Sequence, residues 1–222
     1  MWHERYRIRR HGRRWLLIAF MSFNCAGAFD ADPRIYEDFV FAVTNDRVDQ
    51  VKSLLARGMD PDTVDPNTDP VLLVAARLGF QDTVNALLAA RADVDRANRF
   101  GDTAIKVAAL NGHLNIVRTL RQRGAAIDMP GWTPLIYAAT GGRDEIVRYL
   151  LAQGANVNAA APNGTTPLMM SVRESHRTTI ELLLASGADV NHRNADGATA
   201  LSWAQRNDDE ALANRLKRAG AR

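Results

Sequence analysis

Beyond the first 28 residues, the side chains whose types could hold a metal, move a proton or attack a carbonyl are few. They are His113, His176 and His192, and two carboxylate runs, Asp144-Glu145 and Asp208-Asp209-Glu210. No histidine has a second histidine, cysteine or carboxylate at metal-ligand spacing, so no zinc or iron site is expected. Both carboxylate runs fall at predicted helix starts, where negative charge favours the positive end of the helix dipole; that reading is preferred to paired acid and base catalysis. Gly141-Gly142 follows a predicted helix and not a strand, so it is not a phosphate-cradling loop. No cofactor is expected.

The elements that must position these residues are clearest between Gly131 and Asn158, GWTPLIYAATGGRDEIVRYLLAQGANVN. Thr133-Pro134 starts a helix: the hydroxyl can accept from a first-turn N–H, and proline at the first helical position loses no bond. Leu135 enters a core, Ala138-Ala139 leaves a flat face for close helix approach, and Gly141-Gly142 supplies the positive φ that ends a short helix. Asp144 to Gln153 reads as a second helix with Ile146, Val147, Leu150 and Leu151 on one stripe, stopped by Gly154. Such a pair cannot bury its apolar face alone and requires stacked copies.

The copies are present. The residues that end each second helix are Gly58, Arg91, Gly124, Gly154, Gly187 and Gly220, at steps of 33, 33, 30, 33 and 33. Helix starts recur at Asp69-Pro70, Thr103-Ala104, Thr133-Pro134, Thr166-Pro167 and Thr199-Ala200, and inter-helix turns at Leu78-Gly79-Phe80, Asn111-Gly112-His113, Gly141-Gly142-Arg143 and Ser175-His176. A period of 33 carrying T-P-L, A-A, G-H, L-L and G-A-D-V-N resembles the ankyrin repeat over roughly residues 38–222. The resemblance implies an all-α helical solenoid of six units, approximately 38–67, 68–100, 101–130, 131–163, 164–196 and 197–222, each with two antiparallel helices and a β-hairpin finger. It also implies a non-enzymatic scaffold that binds another protein through finger tips and a concave helix face, with His113 and His176 bonded to the backbone of adjacent turns. Serine and histidine in distant repeats of a rigid stack do not meet, so no nucleophile with a base is expected.

The formal net charge of +3 is misleading. Arg5, Arg7, Arg9, Arg10, Arg13 and Arg14 face only Glu4 in the first fourteen residues, which leaves the remainder slightly acidic. A near-neutral body gives no long-range attraction to phosphate backbones, so nucleic acid is not an expected partner. The basic start, the apolar run from Trp15 to Phe23 and the small residues Ala26-Gly27-Ala28 read as a signal peptide over residues 1–28, with cleavage after Ala28 and a short tail over 29–37. The apolar run is shorter than the roughly 20 residues of a comfortable span. An exported protein is expected, periplasmic if bacterial, with no membrane association if the signal is cleaved; an uncleaved membrane anchor is the rival. Cys25, the single cysteine, would leave with the leader, and the mature monomer would contain no disulfide. In a bacterial setting the chain also resembles periplasmic ankyrin proteins, some of which are associated with peroxide defence and others with toxin neutralisation. Polar faces in the first repeat, and Asp208-Asp209-Glu210 with Lys217 and Arg218 in the sixth, read as terminal caps.

Departures from the pattern point to a binding site. Arg91 replaces a helix-ending glycine, where a left-handed conformation costs a Cβ-bearing residue roughly 1 kcal/mol. Ser175 replaces another turn glycine, and Ser171-Val172 replaces Ala-Ala and should ease the neighbouring helices apart. The 30-residue step clips one finger to Met129-Pro130-Gly131-Trp132, opening a notch with Trp132 beside it. Aromatics with arginine nearby are the usual composition of binding hot spots. The candidate protein-binding residues are Arg77, Arg99, Phe100, Asn111, Trp132, Asn163 and Arg173. Tyr137, Met170 and Trp203 fall one position inward and are expected in the core.

Overall fold

The computed structural model describes residues 33–222. The leader and residues 29–32 of the expected tail lie outside the described residues, and so do the expectations of export, cleavage and anchoring. Twelve helices follow one another among the described residues: α1 (Pro33–Thr44), α2 (Val48–Ala56), α3 (Val71–Leu78), α4 (Gln81–Ala89), α5 (Ala104–Asn111), α6 (Leu114–Gln122), α7 (Pro134–Thr140), α8 (Asp144–Ala152), α9 (Pro167–Arg173), α10 (Arg177–Ala185), α11 (Ala200–Arg206) and α12 (Glu210–Arg218). The all-α architecture and the six helix pairs match the sequence reading. The start of α1 at Pro33 takes in the last part of the expected tail, and the Tyr36 hydroxyl ties it down by donating to the Val64 carbonyl at 2.9 Å.

Each odd-numbered helix packs on its even-numbered successor, and the odd helices also stack on one another in chain order, as do α2 to α10 among the even ones. Two layers result, with the core between them. Leu72, Ile105, Leu135 and Leu168 occupy one register position on α3, α5, α7 and α9, each at most 2% exposed. Ala75-Ala76, Ala108-Ala109 and Ala138-Ala139 are fully buried, which is the close approach that small side chains permit. In α9 the equivalent Ser171 is fully buried and turns its hydroxyl back to the Leu168 carbonyl at 2.8 Å, the usual way a helical serine satisfies itself.

Short helices need their ends satisfied. Thr133, Thr166 and Thr199 each accept from the N–H three residues on, Ile136, Met169 and Ser202, at 3.2–3.3 Å, and Ser202 returns the bond to complete a capping box. Thr103 departs from its siblings: its hydroxyl is buried with no hydrogen-bond partner. At the other end, the last carbonyls of the odd helices are met by the next repeat. His113 Nε2 lies 3.2 Å from the Arg77 carbonyl, Arg143 Nε donates to Leu110 at 2.9 Å, His176 Nε2 lies 3.0 Å from Thr140, and Asn207 Nδ2 donates to Arg173 at 3.2 Å. The backbone role expected for His113 and His176 is therefore what they perform.

A second set of inter-repeat bonds explains the polar tail of each unit. Asp62, Asp95, Asp128, Asn158 and Asn191 share one register and accept from the backbone N–H of Asp93, Ala126, Asn156, Asp189 and Arg222, each one repeat further on, at 2.8–3.3 Å. Asp209 caps α12 by accepting from Leu212 at 3.0 Å, and this backbone bond, with Arg177 as a lesser cause, holds its carboxyl below the usual carboxylate range.

Two turn expectations are refined. Only Gly142 has positive φ, 62°; Gly141 sits at −84°. Gly141 is required for a different reason, since a Cβ there would drive into the Leu110 carbonyl. Arg91 and Ser175 do adopt the left-handed conformation, with φ of 67° and 60°, so the turn geometry is conserved across the repeats at the expense of local strain. The β-hairpin fingers implied by the resemblance are corrected: the one β pairing among the described residues is an isolated bridge between Val64 and Pro70, and the fingers are tight turns too short for strands.

Candidate functional site

Four finger turns recur at residues 65–69, 98–102, 161–165 and 194–198. In each, the first residue donates its N–H to the carbonyl of the fifth: Asp65 to Asp69, Asn98 to Asp102, Ala161 to Thr165 and Asn194 to Ala198, at 2.8–3.0 Å. Where the first residue is Asp or Asn, its side chain locks the turn from inside. Asp65 Oδ1 accepts from Asn67 and Asp69, Asn98 Oδ1 from Phe100 and Asp102, and Asn194 Oδ1 from Asp196 and Ala198. Ala161 is the exception.

The reason lies in the clipped finger. Neighbouring fingers are bonded where both are full length. Asn98 Nδ2 donates to Asp69 Oδ1 at 2.7 Å, and on the far side Ala195 donates its N–H to Asn163 at 2.9 Å while His192 Nε2 lies 2.9 Å from Gly164 O. Between these two bonded pairs stands the shortened segment. There, half-buried Trp132 packs with Trp203 against a separate apolar cluster of Ile136, Ala161 and Met170. Its ring meets that of Tyr137 edge-on, with centroids 6.4 Å apart and planes at 83°. Ala161 is apolar because its neighbour across the gap is an indole.

Beneath the first finger pair runs a chain of buried polar groups. Arg77 pairs with Asp69 at 2.6 Å, Asp69 receives Asn98, and Asn98 closes the turn that ends in Asp102, whose carboxylate accepts from the Tyr137 hydroxyl. Lys106, only 4% exposed, donates from Nζ to the Gly101 carbonyl at 2.8 Å. Burial pushes its pKa down, and Asp102 and Asp95 oppose that shift. The equivalent positions on α3, α7 and α9 are Leu73, Ile136 and Met169.

The seven sequence-predicted residues divide into three on finger tips, three bonded within the stack, and Trp132 of the clipped finger. Arg99 and Phe100 project from one finger tip, the guanidinium carbon 4.7 Å from the ring centroid, and Asn163 is exposed on another while holding Thr165 N–H and Ala195 N–H. Arg77 is committed to Asp69, Arg173 bonds its neighbour Glu174 at 2.8 Å, and Asn111 Nδ2 turns back to the Val107 carbonyl at 2.7 Å. Trp132 and Arg77 share one network through Tyr137 and Asp102; Asn111, Asn163 and Arg173 are not part of it. Tyr137 and Met170 are buried, as expected, and Trp203 is half-buried. Sequence reasoning missed Phe41, which is 54% exposed on α1, and Lys106. Both were visible by register: Phe41 aligns with buried Val74 and Val107, and Lys106 with apolar residues.

Among the described residues the exposed large hydrophobics are Phe41, Leu78 and Phe100, at 54, 44 and 59%. Two lie on odd-numbered helices and one on a finger, and none on an even-numbered helix. Among the same residues no group of three or more His, Cys, Asp or Glu is placed to hold a metal, and no helix is long and apolar enough to cross a membrane.

A stack of helix pairs at this period, with side chains of one unit capping the next, defines a helical repeat scaffold. The family model for ankyrin repeats in three copies matches residues 39–130, 126–194 and 160–222, and the chain belongs to the ankyrin-repeat family. It is similar to the mouse (Mus musculus) ankyrin repeat and SAM domain-containing protein 6, 33% identical over 121 residues, which is 50% of this chain and 14% of the relative. It is also similar to mouse protein phosphatase 1 regulatory subunit 27, 43% identical over 58 residues, 25% of this chain and 38% of the relative. The chain thus spans well under half the length of either.

Proposed function

We propose that the chain is a non-enzymatic scaffold, exported and monomeric, that binds a partner protein across its fingers and odd-helix face. The observation that supports this reading is that the large apolar side chains left exposed among the described residues, Phe41, Leu78 and Phe100, lie on odd-numbered helices and a finger tip and not on the even-numbered helices. Phe100 with Arg99 over its ring, and Trp132 in the notch, supply the rigid aromatic anchors on which such surfaces depend. A relative that is by name a regulatory subunit supports a role exerted through another protein. Peroxide defence or toxin neutralisation is the setting drawn from the resemblance to periplasmic members.

A pull-down from the exported fraction tests the reading: a partner retained by the wild type should be lost with Phe100→Ala plus Trp132→Ala, and an undiminished yield would count against it. The second reading, a membrane-anchored adaptor, is favoured by the apolar run from Trp15 to Phe23. Mass spectrometry of the mature chain separates the two, since an N-terminus at Phe29 rules the anchor out.

A further inference from the structure

The opposite layer carries a different kind of surface. Helix α6 with its following residue contains Arg118, Arg121 and Arg123 and no carboxylate, and α8 adds Arg148. The Arg118 guanidinium carbon lies 5.7 Å from the Tyr149 ring centroid, which brings Arg118 up against the turn of α8 that carries Arg148. Arg121 stands where Leu88, Leu151 and Leu184 stand in the siblings; its Nη1 donates to the Ala125 carbonyl at 3.3 Å, and its buried Nε has no partner. Arg123 donates to the Leu88 carbonyl at 3.0 Å. The ion pairs among the described residues engage Arg77, Arg173, Arg177 and Arg215, and not Arg118, Arg121, Arg123 or Arg148. Glu145, three residues before Arg148 on α8, is not within ion-pair distance of it.

Cations at a helix C-terminus are favoured by its dipole, which accounts for Arg121 and Arg123. It does not account for Arg118 and Arg148, which are exposed in mid-helix on adjacent elements, where like charges repel. Two exposed guanidinium groups on packed neighbouring helices, one of them beside an aromatic ring and neither in an ion pair, are suited to bidentate recognition of an anion. The patch is confined to two helices of a near-neutral body, and so lacks the extended field that a phosphate backbone or membrane surface would call for.

We propose that Arg118 and Arg148, exposed on α6 and α8 beside Tyr149, form a second docking surface that takes a short aspartate- or glutamate-rich segment of a partner protein. The test uses the full chain and three probes: a fluorescent glutamate-rich decapeptide, a single-stranded oligonucleotide of equal charge, and vesicles containing phosphatidylglycerol. The peptide should bind, more weakly as salt rises, and Arg118→Glu with Arg148→Glu should weaken it about tenfold or more. Arg118→Gln with Arg148→Gln should give an intermediate loss, and a retained melting temperature shows that each variant folds. The leader arginines contribute equally to every variant, so only the difference counts. Phe100→Ala plus Trp132→Ala should leave peptide binding unchanged, which separates this surface from the odd-helix face. No peptide binding by the wild type, equal peptide affinity after charge reversal, or a loss confined to the oligonucleotide or the vesicles would each overturn the proposal.

Discussion

The Tyr137 hydroxyl, on the first helix after the clipped finger, donates a hydrogen bond to the Asp102 carboxylate at the base of the last full-length finger before it. The two residues are 35 positions apart and both are buried. The bond joins the helix behind the clipped finger to the Arg77–Asp69–Asn98 chain beneath the first two fingers.

Tyr137→Phe keeps the ring against Trp132 and removes the donor. A buried carboxylate deprived of a partner costs about 1–3 kcal/mol. Urea denaturation should show that loss, and a double-mutant cycle with Asp102→Asn should show strong coupling; additive effects would mean that the two groups act independently.

Lys106→Met places at this position the residue that α9 carries there, Met169. Burial lowers the Lys106 pKa, so the unfolded chain binds this proton more tightly than the folded one. The wild type should therefore gain stability as pH rises from the folded pKa towards 10.5, and the variant should lack that gain. Urea midpoints measured from neutral pH upward check the sign. Amide exchange across the 98–102 turn should also quicken, because Nζ no longer anchors the turn through the Gly101 carbonyl.

Most of the fold was legible because it repeats. One glycine register located six helix pairs, and Arg91 could be named as a site of strain or a changed turn before its φ value was known. The candidate site was half legible. Finger tips such as Phe100 follow from register, but whether a polar side chain is free depends on what the neighbouring unit offers. Arg77 looked available and is held by Asp69, and Asn111 is spent on its own helix. The Asp102–Tyr137 bond was not legible, since it links two repeats through a gap that the sequence shows only as missing residues.

Arg91→Gly should raise stability by about 0.5–1 kcal/mol. Relief of the left-handed strain, worth roughly 1–2 kcal/mol, exceeds the added freedom of glycine in the unfolded chain. Thermal melts of the two proteins compare them directly, and an unchanged or lower midpoint would show that the turn is not strained.

Asp209→Ala should lower the melting temperature at neutral pH by removing the α12 cap. Because the folded-state pKa is depressed, the carboxylate's contribution is present above the ordinary value of 3.8 and is lost as pH falls through the folded pKa. The difference between variant and wild type should accordingly shrink in acid.

The central claim is that a partner docks on the fingers and odd helices. Photo-crosslinking residues placed singly at Phe41, Leu78 and Phe100, and as comparison at the exposed even-helix positions Ala56 and Ala185, test it in the producing cell. The same crosslinked partner should appear from the first three sites and not from the last two. A partner captured from Ala56 or Ala185, with none from Phe41, Leu78 or Phe100, would contradict the account.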